Sequence, residues 1–174
     1  DEVVRRWYAH QPWEHKSPAQ VEAEIMAEVH HLAITQGTAL PGVHEVVEEL
    51  AARGFALALA SSSPRPMIVA VLEHLGLASY FPVLCSAADE LHGKPHPAVY
   101  INTAAQLGLP TQACLAFEDS IPGVIAARAA NMHVVAIPDS HHYDSPDFGI
   151  AIIKLPTLVH FRHSAFMKTL HPQK

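Results

Sequence analysis

The chain has 174 residues, a length that admits one domain, or one domain with a small appendage, and excludes two full catalytic domains. Apolar residues make up 49% and charged residues 16%, ample for a core and too lightly charged for a disordered segment. Seventeen acids against eleven bases leave a formal charge of −6 with no basic run, which argues against nucleic acid or an anionic membrane surface and leaves a small soluble ligand as the expected partner.

No apolar stretch approaches the roughly 20 residues that a bilayer span needs, and the opening Asp-Glu-Val-Val-Arg-Arg carries no signal-peptide core. Cys85 and Cys114 lie in apolar runs, as reduced and buried thiols do. A cytoplasmic protein is expected. The fourteen histidines, including the pairs His30-His31 and His141-His142, lack a metal-ligand spacing with Cys or acids and read as solvated.

The first 36 residues read as helical. Glu2 to Ala9 is expected to end one helix, and Ser17-Pro18-Ala19-Gln20 to open the next as a capping box with proline at the first helical position. Val21, Ile25, Val29 and Leu32 then recur at helical spacing. Gly37 and Leu40-Pro41-Gly42 break the pattern and mark a hinge, so residues 1–36 and 37–174 are expected to form separate regions.

From residue 43 the grammar alternates. The stripe Val43, Val46, Val47, Leu50 predicts a helix closed by Gly54, and Phe55 to Ser61 a strand apolar on both faces, as in a parallel sheet covered on two sides. A helix through Ile68, Val71, Leu72 and Leu75, a strand Val83–Ser86, a helix Ala98–Leu107 and a strand Cys114–Phe117 follow. A helix Gly123–Ala130, a strand His133–Ile137, a strand near Ala151–Leu155 and a terminal helix from about Thr157 complete the series. Successive βα units specify a doubly wound, Rossmann-like α/β sheet.

In such sheets ligands bind beyond the carboxyl ends of the strands. Three of those ends are polar: Ser61-Ser62-Ser63, the loop Gly93-Lys94-Pro95-His96-Pro97, and Glu118-Asp119-Ser120. Their chemistry is coherent around a phosphate. Serine hydroxyls and adjacent amides donate to phosphoryl oxygens, lysine supplies a compact positive charge, and adjacent carboxylates offer hard oxygen ligands to Mg²⁺. Each element alone has an ordinary reading as a turn, a solvated lysine or a helix cap; the combination points to a site.

The ordered set Leu59-Ala60-Ser61-Ser62-Ser63, Gly93-Lys94-Pro95-His96-Pro97 and Phe117-Glu118-Asp119-Ser120 resembles motifs two, three and four of the haloacid dehalogenase-like hydrolases, in the branch of β-phosphoglucomutase and the sugar-phosphate phosphatases. Trp7-Tyr8-Ala9-His10-Gln11-Pro12-Trp13 and Leu40-Pro41-Gly42-Val43 also resemble the cap and hinge of that branch, so residues 1–36 would be part of a helical cap. The resemblance implies a monomeric, Mg²⁺-dependent hydrolase of sugar or polyol phosphates working through an aspartyl phosphate. Ser61 and Ser62 would bind the phosphoryl group, Lys94 would stabilise its charge, Glu118 and Asp119 would hold Mg²⁺, and Arg65 would touch the sugar. A phosphosugar mutase and a non-catalytic binding module are the rival readings.

One element of the family pattern has no counterpart. The first motif, an apolar strand ending in Asp-x-Asp-Gly, supplies nucleophile and general acid/base, and none of Asp1, Asp89, Asp139, Asp144 or Asp147 follows an apolar strand with a second aspartate two residues on. The expectation is a truncated chain that lacks its first core strand and is inactive by itself. The strands ending at Ser61 and Glu118 would then each lose a neighbour, and each buried backbone group left unpartnered costs about 1 to 3 kcal/mol.

Overall fold

The structure, a computed structural model, describes residues 2–172 and divides into two compact units, one ending at Thr38 and the other beginning at Ala39. The first unit is a pair of helices, α1 (Glu2–His10) and α2 (Pro18–Thr35). The capping box forms as expected: Ser17 Oγ accepts from the Gln20 amide, and Gln20 Oε1 accepts from the Ser17 amide at 2.8 Å. α2 buries no residue fully; Ile25, Val29 and Leu32 all stay about two-fifths exposed.

The second unit alternates α3 (Val43–Ala52), β1 (Ala58–Ser61), α4 (Arg65–His74), β2 (Val83–Ser86), α5 (Ala98–Leu107), β3 (Leu115–Glu118), α6 (Ile121–Ala129), β4 (His133–Ala136) and β5 (Ile153–Lys154), then α7 (Leu158–Arg162) and α8 (Ala165–Thr169). All strand pairs are parallel, so this is the α/β architecture expected from the sequence. They form two separate ladders: β1 with β2, in register Ala58↔Val83 to Ser61↔Ser86, and β3–β4–β5, with Leu115↔His133 to Glu118↔Ala136. Among the described residues β1 and β3 therefore each keep one edge without a backbone partner. Every residue of β1 is only half-buried, as an edge strand's residues are.

Both faces of the larger ladder are covered. Ala116 and Val134 pack into a core with Val99, Tyr100 and Val124 of α5 and α6, while the alternate residues Phe117 and Val135 join Val46, Leu50, Phe161 and Met167. A third cluster, Ile68, Leu72 and Leu77, sits against Leu59 and Leu84 of the smaller ladder. No helix among the described residues is long and apolar enough to cross a membrane.

Three of the boundaries that differ from the sequence expectation are decided by a visible hydrogen bond or cap. The strand begins at Ala58 rather than Phe55, because the Phe55 amide is spent on the Leu50 carbonyl at 3.1 Å, closing α3 behind a left-handed Gly54. α6 starts at Ile121, since Ser120 caps it by accepting from the Gly123 amide and Pro122 is tolerated in the first turn. The single terminal helix is two short ones. Ser164 interrupts it, donating to the Phe161 carbonyl at 2.6 Å and accepting from the Met167 amide at 3.1 Å.

Candidate active site

Ser61 ends β1 and Glu118 ends β3, so both stand at the carboxyl ends of parallel strands, as the loop grammar requires. Ser61, Ser62, Lys94, Glu118, Asp119 and Ser120 line a common cavity of about 380 Å³. The loop between β2 and α5 brings Lys94 into it, and the Lys94 ammonium reaches both ladders. It donates to the Ala60 carbonyl on β1 at 3.2 Å and to Glu118 Oε1 on β3 at 2.6 Å.

That ion pair is buried, with the side chains of Lys94 and Glu118 only 9% and 6% exposed. Two charges withdrawn from water are stable only when well paired and hydrogen-bonded, and both conditions hold. Glu118 Oε1 also receives the Tyr100 hydroxyl, and Oε2 receives Ser120 Oγ at 3.1 Å. Burial, then the neighbouring Glu118 carboxylate, push the Tyr100 phenol far above its ordinary range, so it stays protonated and donates. The same hydroxyl accepts from Lys94 at 3.2 Å. Gly123, in the first turn of α6, lies against the Glu118 carboxyl so closely that a Cβ there would fall within it.

Asp119 differs from Glu118 in every respect that matters chemically. It is exposed, and no side-chain hydrogen bond to it is found among the described residues. Ser61 Oγ accepts from the Ser63 amide at 3.1 Å, which leaves its proton free to donate. Ser86 steadies the serine loop from β2, donating to the Ser63 carbonyl at 2.7 Å. Arg65 is not brought to the cavity. Its guanidinium donates to the Leu84 carbonyl at 2.6 Å, drawn back along β2 from the first turn of α4.

Tyr100, Ser86 and Gly123 are the participants that reading the sequence misses. Tyr100 falls on the apolar stripe of α5 with Val99 and Ala104, where a tyrosine reads as core; its offset of six from Lys94 is the usable signal, because an N-terminal helical turn can face the loop just before it. Tyr100→Phe removes a donor from the buried Glu118 carboxylate. Such bonds to charged groups are worth about 1.5 to 3 kcal/mol, and the loss is expected in that range from urea unfolding midpoints; an unchanged midpoint would show the hydroxyl to be dispensable.

The Lys94, Glu118 and Asp119 side chains sum to a single negative formal charge around a cavity that also offers hydroxyl donors. No group of three His, Cys, Asp or Glu side chains converges among the described residues. Two adjacent carboxylates of unequal burial do suit a hard cation that keeps most of its water and takes only one or two protein oxygens.

Comparison with known proteins shows the family. A family model described as haloacid dehalogenase-like hydrolase matches residues 3–131. Hexitol phosphatase B of Escherichia coli strain K12 is 39% identical over 158 residues, which cover 91% of this chain and 71% of that protein. Among solved structures, CbbY from Rhodobacter sphaeroides in complex with phosphate superposes with a TM-score of 0.79 at 22% identity, over 91% of this chain and 72% of the other. β-Phosphoglucomutase from Clostridium difficile gives 0.74 at 18% identity over 96% and 74%. The chain accordingly belongs to the haloacid dehalogenase-like hydrolase family.

Proposed function

We propose that these residues form the phosphate-binding side of a Mg²⁺-dependent phosphatase that hydrolyses sugar or polyol phosphates through an aspartyl phosphate. The observation that carries the reading is the charge arrangement in the 380 Å³ cavity: the one ammonium is already balanced by buried Glu118, and Asp119 stands exposed beside it. A phosphate dianion entering the bare cavity meets net negative charge. Asp119 and Glu118 would hold a divalent cation, which would reverse that sign and offset charge on the phosphoryl oxygens.

The chain's own groups position the ester. The Ser61 hydroxyl and the Ser62 amide donate to phosphoryl oxygens, and Lys94, fixed by its three acceptors, presents positive charge where negative charge concentrates during transfer. The reacting carboxylate and the general acid would be the Asp-x-Asp pair that the family resemblance implies and that residues 1–174 do not contain. Its first carboxylate would attack phosphorus as the ester P–O bond breaks, and its second would protonate the departing alkoxide and then take a proton from the water that cleaves the acyl phosphate, releasing inorganic phosphate. The name of the 39% identical relative, hexitol phosphatase, supports polyol phosphates as the substrate class.

Asp119→Asn in the whole protein tests this reading. It is expected to cut phosphate release from a hexitol phosphate by at least about 100-fold, the scale for removing one electrostatic stabiliser, and to leave the unfolding midpoint nearly unchanged because the side chain is exposed. Chelation with EDTA is expected to reproduce the loss and added Mg²⁺ to reverse it in the wild type. Undiminished turnover in the variant, or after chelation, removes Asp119 or the metal from the reaction.

A further inference from the structure

A second cavity lies wholly within the first unit and shares no lining residue with the one around Lys94. Trp7, His10, Gln11, Pro12 and Trp13 line an open space of about 300 Å³ where α1 ends. That volume is at the small end of the range for small-molecule sites, roughly 300 to 1,000 Å³, and fits a monosaccharide-sized ligand better than a nucleotide.

The walls are held by local bonds. The Gln11 amide continues α1 by donating to the Trp7 carbonyl at 2.8 Å. Trp13 Nε1 donates to the Lys16 carbonyl at 3.1 Å, and the Tyr8 ring meets the Trp13 ring edge to face with centroids 4.8 Å apart. Lys16 is in turn tied to Glu24 of α2 at 2.6 Å. The Trp13 plane is thus fixed before any ligand arrives, which lowers the ordering cost of binding. Its single donor is already used, so what Trp13 offers a ligand is its ring. Trp7, 57% exposed, offers a second indole.

His10 and Gln11 complete the lining, both exposed and both able to donate or accept, and no carboxylate, lysine or arginine stands among the five. A purely apolar ligand would want enclosure, and this space is open. A charged ligand would find no fixed counter-charge. The combination suits a neutral molecule with C–H surface on one side and hydroxyls on the other.

We infer that this aromatic pocket binds the uncharged carbon skeleton of a sugar or sugar alcohol. Any part it plays in turnover rests on the phosphatase reading above; the binding itself does not. Trp7 and Trp13 are the chain's only tryptophans, so tryptophan emission reports on this cavity alone.

The test is titration of the 174-residue chain with unphosphorylated D-sorbitol, with ethylene glycol at matched hydroxyl concentration as the solvent control. A saturable change in emission with sorbitol and none with the glycol is expected. Gln11→Ala, which keeps both fluorophores and replaces an exposed side chain, is expected to weaken the half-saturating concentration about two- to ten-fold, the range for one lost hydrogen bond. An emission change linear in sorbitol, one matched by the glycol, or one indifferent to Gln11→Ala overturns the inference. A chain that binds sorbitol while the whole protein releases no phosphate in the presence of Mg²⁺ overturns the phosphatase reading and leaves the pocket standing.

Discussion

Lys94→Ala is expected to destabilise the chain by about 3 to 5 kcal/mol, the cost of breaking a buried ion pair by removing one partner. The reason is Glu118, whose side chain is 6% exposed and whose carboxylate would retain only the Tyr100 and Ser120 hydroxyls as donors. The Ala60 carbonyl loses its ammonium in the same change. Against a domain margin of roughly 5 to 15 kcal/mol, a loss of that size removes much of the folded population's reserve. Urea unfolding measures it, and the double variant Lys94→Met/Glu118→Gln separates the two contributions to the phenotype. Neutralising both partners is expected to restore most of the lost stability, because apolar or neutral replacements of buried pairs are often tolerated, while phosphate release by the whole protein stays absent. A single variant costing less than about 1 kcal/mol would show that the pair is not the charge balance described here.

Gly123→Ala is the second large effect, and its sign runs against the usual rule. Alanine in place of glycine within a helix ordinarily stabilises by up to about 1 kcal/mol. At Gly123 the new Cβ would fall within the Glu118 carboxyl group, and that side chain cannot swing aside without leaving Lys94, Tyr100 and Ser120. The expected cost is about 1 to 3 kcal/mol from overpacking, together with a loss of phosphate release as the carboxylate is displaced. Gly149→Ala is the control, since a Cβ there meets nothing within 4 Å. Gly123→Ala at wild-type stability and activity would mean that the carboxylate has freedom that its hydrogen bonds do not suggest.

The α/β architecture was legible because its signals are periodic and local. The capping box at Ser17 and the apolar runs at Val83–Ser86 and His133–Ala136 each declare themselves within one element. Boundaries were less legible where a single hydrogen bond decides them, as with the Phe55 amide turned back to Leu50 and the Ser164 hydroxyl that interrupts the last helix. Polar residues at strand ends pointed to Ser61, Lys94, Glu118 and Asp119, which line one cavity. Tyr100 was hidden because a tyrosine in an apolar stripe looks like packing, and here it is packing and hydrogen bonding at once. Arg65 does not line that cavity: sequence position placed it near the serine loop, and a backbone carbonyl of β2 holds its guanidinium.

The division of the sheet into two ladders has a consequence for how copies of this chain behave beside one another. A bare strand border is a template on which a neighbouring molecule can lay its own extended segment, the first step of intermolecular fibre growth. On β1 that border is interrupted at Ala60, whose carbonyl is already occupied by the Lys94 ammonium. The cation that keeps Glu118 neutralised thereby also withholds the Ala60 carbonyl from the amide of a second chain, interrupting the border on which such pairing would nucleate.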